Sequence, residues 1–208
     1  MEKNKTATIA VCDAGPLIHL DELDSLDLLA DFWVWVPDAV WKEVQHHRPT
    51  ALQRPRVPYE RQVVSGPIAP TLLALSRALA LDAGEIEALA IMASVSQALF
   101  LTDDAAARLA AEQLGYRVHG SIGILLRAIR RGQLTAMEVL ACLRAIPQLS
   151  SLHISPALLR DHQPRATRIR PHVTAHPYHW SCASISSPSP LPSSPLHPLL
   201  SILPFLPH

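Results

Sequence analysis

The sequence predicts an α/β protein, a three-layer α/β/α sandwich around a central, mainly parallel sheet. Two observations carry that prediction. Short apolar, β-branched runs recur along the chain at residues 8–12 (TIAVC), 32–36 (FWVWV) and 98–102 (ALFLT). They are too short for helices and too uniformly apolar to keep a wet face, as befits strands buried on both sides. Between them lie stretches with apolar residues at helical spacing. Strands that alternate with helices form parallel sheets covered by helices on both faces.

In chain order, TIAVC runs into Asp13 and then Ala14-Gly15-Pro16, where a helix opens at Pro16 or Leu17, because proline suits the first helical turn. Leu17, Ile18, Leu20, Leu23, Leu26 and Leu29 extend it at helical spacing. FWVWV is the second strand, with Trp33 and Trp35 in core-like positions. Pro37-Asp38 then starts a helix that carries Val40, Trp41 and Val44. Residues 48–70 contain five prolines and read as a loop with one irregular strand around Val63 and Val64. Helices follow at 72–81 and 85–96, separated by Asp82-Ala83-Gly84. After ALFLT, Asp103-Asp104 begins a helix through Leu114, which Gly115 ends in the left-handed conformation. Residues 116–119 form a brief strand, and Ser121 caps a helix to Arg131 that Gly132 closes. Thr135 with Glu138 makes a capping box for a last helix, which Pro147 stops.

Composition divides the chain. Lysine plus arginine and aspartate plus glutamate number 18 each, so the formal net charge is zero. That zero is a cancellation, because residues 1–164 carry −3 and the acid-free stretch 165–208 carries +3. The same stretch holds 9 of the 19 prolines, a density that blocks helix and sheet alike. Residues 1–160 are therefore expected to fold, and 161–208 to be a low-complexity, disordered tail. Within the tail, His172, His176, His179 and Cys182 have zinc-like spacing but lie in low-complexity sequence. Three widely separated cysteines exclude a disulfide scaffold, and no apolar run approaches the roughly 18 residues of a membrane span. The expected setting is soluble, reduced and cytoplasmic.

Functional residues are sought at the carboxyl ends of the strands, where open parallel sheets place their sites. Asp13 directly follows the first strand, and Asp103 and Asp104 follow ALFLT. Glu43 lies in the helix after Pro37, and Glu85 and Glu87 open the helix after Gly84. Singly, most of these acids have a plain use: Asp103 or Asp104 can cap a helix, and Asp82 with Glu85 makes a capping box. Gathered at one edge, they repel one another unless a hard divalent cation such as Mg²⁺ or Mn²⁺ sits among them.

VCDAGPLIHL, VPDAVWKEV, LDAGEIEALA, LFLTDDAAARLAAEQLGYRVHGSIGILLRAIRRGQL and SLHISPALL, in this order, resemble the landmarks of PIN-domain proteins. The closest likeness is to the VapC-like branch with a GTLG-type C-terminal region, and it covers about residues 7–160. The resemblance implies a Mg²⁺- or Mn²⁺-dependent ribonuclease, the toxin of a toxin–antitoxin pair, with a small antitoxin as partner and homodimerisation. It carries the family's metal ligands onto Asp13, Glu43, the acid opening the GEIEALA helix and the last acid of LTDD. Glu85 is favoured over Glu87 there. Asp104 matches the commoner T-x-D position, with Asp103 as an additional acid. One departure stands out: the family usually has Ser or Thr two residues after the first Asp, and here that position is Gly15.

A domain at −3 must gather positive charge locally to hold RNA. Arg127, Arg130 and Arg131 are spaced to share one helix face, and Arg108 follows the LTDD motif by one helical turn. The 48–70 loop adds Arg48, Arg54, Arg56 and Arg61. Two other readings compete. One is a PIN-like RNA- or protein-binding module with weak or no nuclease activity. The other is a phosphoacceptor receiver, which needs a lysine at a late strand end, whereas the lysines are Lys3, Lys5 and Lys42.

Overall fold

The computed structural model describes residues 7–155, 157 and 165–169. Five strands form one all-parallel sheet: β1 (Thr8–Cys12), β2 (Phe32–Pro37), β3 (Tyr59–Gln62), β4 (Leu99–Leu101) and β5 (Arg117–His119), in the spatial order β3-β2-β1-β4-β5. Seven α-helices accompany them among the described residues: α1 (Ala14–Glu22), α2 (Asp38–His47), α3 (Pro70–Leu79), α4 (Ala83–Ser94), α5 (Ala105–Gln113), α6 (Ser121–Arg130) and α7 (Ala136–Leu149). The expected α/β/α sandwich is the observed architecture.

Side chains alternate along the strands and so build two cores. Ala10, Cys12, Val34, Val36, Leu99 and Leu101 face one layer, where they pack with Leu17 and Leu20 of α1, Leu125 of α6 and Leu143 of α7. Val11 and Phe100 face the other layer, against Leu72, Leu89 and Ala110 from α3, α4 and α5. This alternation corrects the reading of Trp33. Phe32, Val34 and Val36 take the first core, which turns Trp33 and Trp35 to the opposite face. Trp35 stays half-buried there, and Trp33 is 46% exposed.

Several local expectations are corrected as well. The first helix opens two residues early, at Ala14, because Asp13 itself serves as N-cap. The leucine series is not one helix: Asp24 adopts φ +48°, and a 3₁₀ turn over Leu26–Asp31 follows. The Ser25 N–H closes that break onto the Leu20 carbonyl at 2.7 Å, so Leu23, Leu26 and Leu29 remain buried across it. The irregular strand falls on Tyr59–Gln62 rather than at Val63 and Val64, because its pairing partner is Val34–Pro37 of β2. Gly120, not Ser121, is the N-cap of α6. Pro147 does not stop α7, which continues to Leu149. Proline in a last turn removes a single N–H, and buried Ile146 still accepts from the Ser150 N–H at 3.0 Å. Other expectations hold. Gly115 and Gly132 adopt φ +77° and +67°, and both capping boxes form.

Packing does not end at residue 160. Ala166 is fully buried in the first core, and Ile169 packs against it. The remainder of the expected tail, with its histidine-cysteine cluster, lies outside the described residues.

The sheet register positions the candidate residues. Cys12 pairs with Leu101, and Leu101 with His119, so β1, β4 and β5 finish level. The Asp13 N–H continues that ladder onto the Leu101 carbonyl at 2.9 Å, as the Thr102 N–H does onto His119 at 3.0 Å. The residues that follow each strand therefore emerge side by side along one edge.

Candidate active site

Asp13 sits at the centre of this edge, because β1 is the middle strand. It is 8% exposed. One carboxylate oxygen accepts the Ala14 N–H at 2.8 Å and the other accepts the Thr102 hydroxyl at 2.9 Å. Thr102 is fully buried, and its oxygen also accepts the Asp104 N–H at 3.1 Å. The side chain of Asp13 is thus fixed from both ends, by its own helix and by the end of β4.

Glu85 arrives from the neighbouring helix. It is 7% exposed and accepts the Asp82 N–H at 2.9 Å, while Asp82 accepts the Glu85 N–H at 2.9 Å. Glu43 is brought beside it by close contact of α2 and α4, which Gly84 makes feasible. A Cβ on Gly84 would stand 3.0 Å from Val40 Cγ2 and 3.9 Å from a Glu43 carboxylate oxygen. Asp104 caps α5, accepting the Ala106 and Ala107 N–H groups at 2.7 and 2.9 Å.

Electrostatics ties these groups together. Burial, with the charges of Asp82 and Glu43, pushes Asp13 up to about 6 against the pull of its two hydrogen bonds. Burial, with Asp82, Asp104 and Asp13 nearby, pushes Glu85 up to about 7. Glu43 is raised by partial desolvation of its carboxyl and by Asp82. Each carboxylate thus feels the others, and among the described residues none of Asp13, Glu43, Asp82, Glu85 and Asp104 forms an ion pair with lysine or arginine. Carboxylates are the hard oxygen donors that Mg²⁺ and Mn²⁺ prefer. Among the described residues, however, no three or more His, Cys, Asp or Glu side chains are gathered closely enough to hold a metal ion.

The other two candidate acids have different neighbours. Glu87 turns to α2, where it accepts the Ala39 N–H at 2.8 Å and so helps anchor the helix that carries Glu43. Asp103 points away from Asp104 and accepts from the Ser121 N–H at 2.8 Å and hydroxyl at 2.6 Å, with His19 Nδ1 also at 2.8 Å. Burial raises Asp103, but these contacts outweigh it and hold the carboxyl below the usual range. Ser121 serves this carboxylate rather than capping α6. His19 stands at the departure noted in the sequence, its ring carbon 3.4 Å from where a Gly15 Cβ would be.

Asp82 and Thr102 were not singled out for function in the sequence. Asp82 appears there as a plain helix cap, yet its charge acts on Asp13, Glu43 and Glu85. Thr102 was legible only as the end of ALFLT; the signal was a hydroxyl at the last buried position before two acids.

The arginines divide. Arg127 donates to Asp31 at 3.1 Å and lies over the Phe32 ring at 4.4 Å, and Arg131 reaches the same Asp31 at 3.4 Å. Arg48 and Arg54 bind Asp21, and Arg61 binds Asp38. Arg108 donates to the Thr102 carbonyl at 3.1 Å, and Arg108 and Arg130 line a cavity beside β5.

The fold is a parallel sheet sandwiched by helices, with Asp13 and Asp104 following two neighbouring central strands. A family model described as a PIN domain, DUF3368, matches residues 9–167, and the chain belongs to that family. PIN domains are generally nucleases and typically use divalent metal ions. No curated protein and no solved structure matches. Among the described residues, no helix is long and apolar enough to cross a membrane.

Proposed function

We propose that the protein is a Mg²⁺- or Mn²⁺-dependent ribonuclease of the VapC-like branch with a GTLG-type C-terminal region, acting in the cytoplasm as the toxin of a toxin–antitoxin pair. Asp13, Glu43, Glu85 and Asp104 would hold the cation, with Asp82 adding to the field that attracts it. Its protein partner is a small antitoxin that covers the acidic edge, and it works as a homodimer. The observation that supports the reading is a buried Asp13 at the end of the central strand, with Asp82, Glu43 and Glu85 acting on one another's charge and, among the described residues, no lysine or arginine paired with them.

When bound, the divalent ion supplies positive charge that favours ionised water at neutral pH and offsets charge building on a phosphate. The protein residues supply alignment. Thr102 and the Ala14 N–H hold the Asp13 carboxylate in one orientation, so it costs little to organise when a cation arrives. The Asp82–Glu85 capping box does the same for Glu85. Arg108, anchored on the Thr102 carbonyl, stands one helical turn beyond Asp104 as a phosphate contact.

The deciding experiment is cleavage of a structured RNA with Mn²⁺, comparing wild type with Asp13→Asn. The variant is expected to lose activity by about 100-fold or more, equivalent to about 3 kcal/mol of transition-state stabilisation. Metal-dependent cleavage at the wild-type rate in the variant would overturn the assignment. Gly15 favours a second reading, a binding module with weak chemistry, since no hydroxyl stands two residues after Asp13. Inactivity of both proteins with the fold intact would select that reading.

A further inference from the structure

A cavity of about 720 Å³ opens at the β5 edge of the sheet, between α5, α6 and residues 152–154, with Asp103 in its wall. Arg108 of α5, Arg130 from the last turn of α6 and Arg165 line it, together with His119 at the end of β5. Most arginines described above are spent on internal carboxylates. Those of the cavity are not: among the described residues, Arg108, Arg130 and Arg165 form no ion pair. Two acids share the wall. Asp103 is already saturated by His19 and Ser121, and Glu112 is exposed to water. Burial holds His119 below its ordinary value, and the charges of Arg130, Arg117 and Arg108 add to the effect.

Guanidinium groups left without carboxylates in a concave site are suited to phosphate, which accepts their paired N–H groups. The cavity is far larger than one phosphate, however, and the rest of its wall includes Ile122, Leu126 and Ile154. A ligand that satisfies both parts carries an anionic head and a body with apolar faces.

We infer that this cavity binds a nucleotide, its phosphate met by Arg108, Arg130 and Arg165 and its base laid against Ile122, Leu126 and Ile154. The same chemistry is offered by a free mononucleotide and by one nucleotide of an RNA strand. Only the strand source rests on the ribonuclease reading.

The test is calorimetric titration of the full chain with 5′-AMP, adenosine and inorganic phosphate. Wild type, the Arg130→Gln/Arg165→Gln double variant and Asp13→Asn are compared. Arg130 and Arg165 are exposed, so their replacement is expected to leave the fold intact, checked by circular dichroism and melting. Wild type is expected to bind AMP at least 10-fold more tightly than adenosine or phosphate, with the double variant weakened at least 10-fold and Asp13→Asn unchanged. Binding of AMP no tighter than of either fragment, or equally tight in the double variant, would overturn the inference. An oligoribonucleotide with 2′-O-methyl groups that displaces AMP identifies the strand as the source, and AMP binding without displacement identifies the free nucleotide. Intact AMP binding by a wild type that cleaves no RNA would leave the cavity assigned and remove the ribonuclease reading alone.

Discussion

Asp21 and Asp13 are both buried aspartates on or beside α1, and the fold treats them in opposite ways. Asp21 accepts from Arg48, from both Arg54 nitrogens at 3.0 and 2.8 Å, and from Thr50 at 3.0 Å. Burial pushes its carboxyl up, and those partners overcome the push and hold it below the usual range. Asp13 has two neutral donors and the charges of Asp82 and Glu43 beside it, and there burial wins. The difference separates two uses of a carboxylate. Asp21 ties α1 to the 48–54 segment and is neutralised on the spot. Asp13 carries an electrostatic cost that its two hydrogen bonds relieve only in part, and such costs gather where a bound ion is part of the working state.

The largest expected effect on that contrast is the loss of cleavage in Asp13→Asn described above, accompanied by a melting temperature equal to or above that of wild type in metal-free buffer. Removing one negative charge from the cluster relieves repulsion, so a marked loss of stability would place Asp13 with Asp21 as a structural residue. Next is Asp21→Ala, which strands Arg48 and Arg54. Breaking a buried pair costs roughly 3–5 kcal/mol, and because both arginines are about one-third exposed a loss nearer 2 kcal/mol is expected in urea unfolding. Smaller again is stabilisation by Mn²⁺. At ten times its dissociation constant a bound ion adds about 1.4 kcal/mol, or roughly 3–5 °C in melting temperature. That shift should appear in wild type and shrink in Asp13→Asn, and an equal shift in both would locate the cation elsewhere. The smallest effect is with pH. The folded protein holds the Asp21 proton less tightly than the unfolded chain does. The stabilisation is therefore complete above the ordinary aspartate range and fades as pH falls through the lowered folded value. Asp21→Asn removes this acid-side dependence, and an unchanged acid limb would show that the Asp21 pairs contribute nothing.

The sequence made one part of this site readable and hid another. Strands announce themselves by local composition, and the rule that parallel sheets work at their carboxyl ends picked out Asp13 and the acids after ALFLT without knowledge of any partner. Both capping boxes were legible for the same local reason. Misread features depended on distant residues. Arg127 and Arg131 look like free members of a helix face until Asp31 is folded against them from 96 residues away in the case of Arg127. Ser121 looks like a helix cap until Asp103 claims both its donors. Trp33 looks like core until strand alternation turns it outward. Asp82 was read as a cap, which it is, and its electrostatic part in the cluster emerges only when α4 docks on β1 and α2.

The union of β1 with β4 also bears on when the protein becomes competent. Thr102 lies 89 residues beyond Asp13, and its hydroxyl and the Leu101 carbonyl are what seat Asp13 in its orientation. A chain emerging from the ribosome displays Asp13 well before Thr102 and cannot complete its alignment until Thr102 has followed. Closing so long a loop is slow compared with local helix formation. Until that loop closes Asp13 lacks its Thr102 contact, so the assembled edge is a product of long-range folding rather than of local structure.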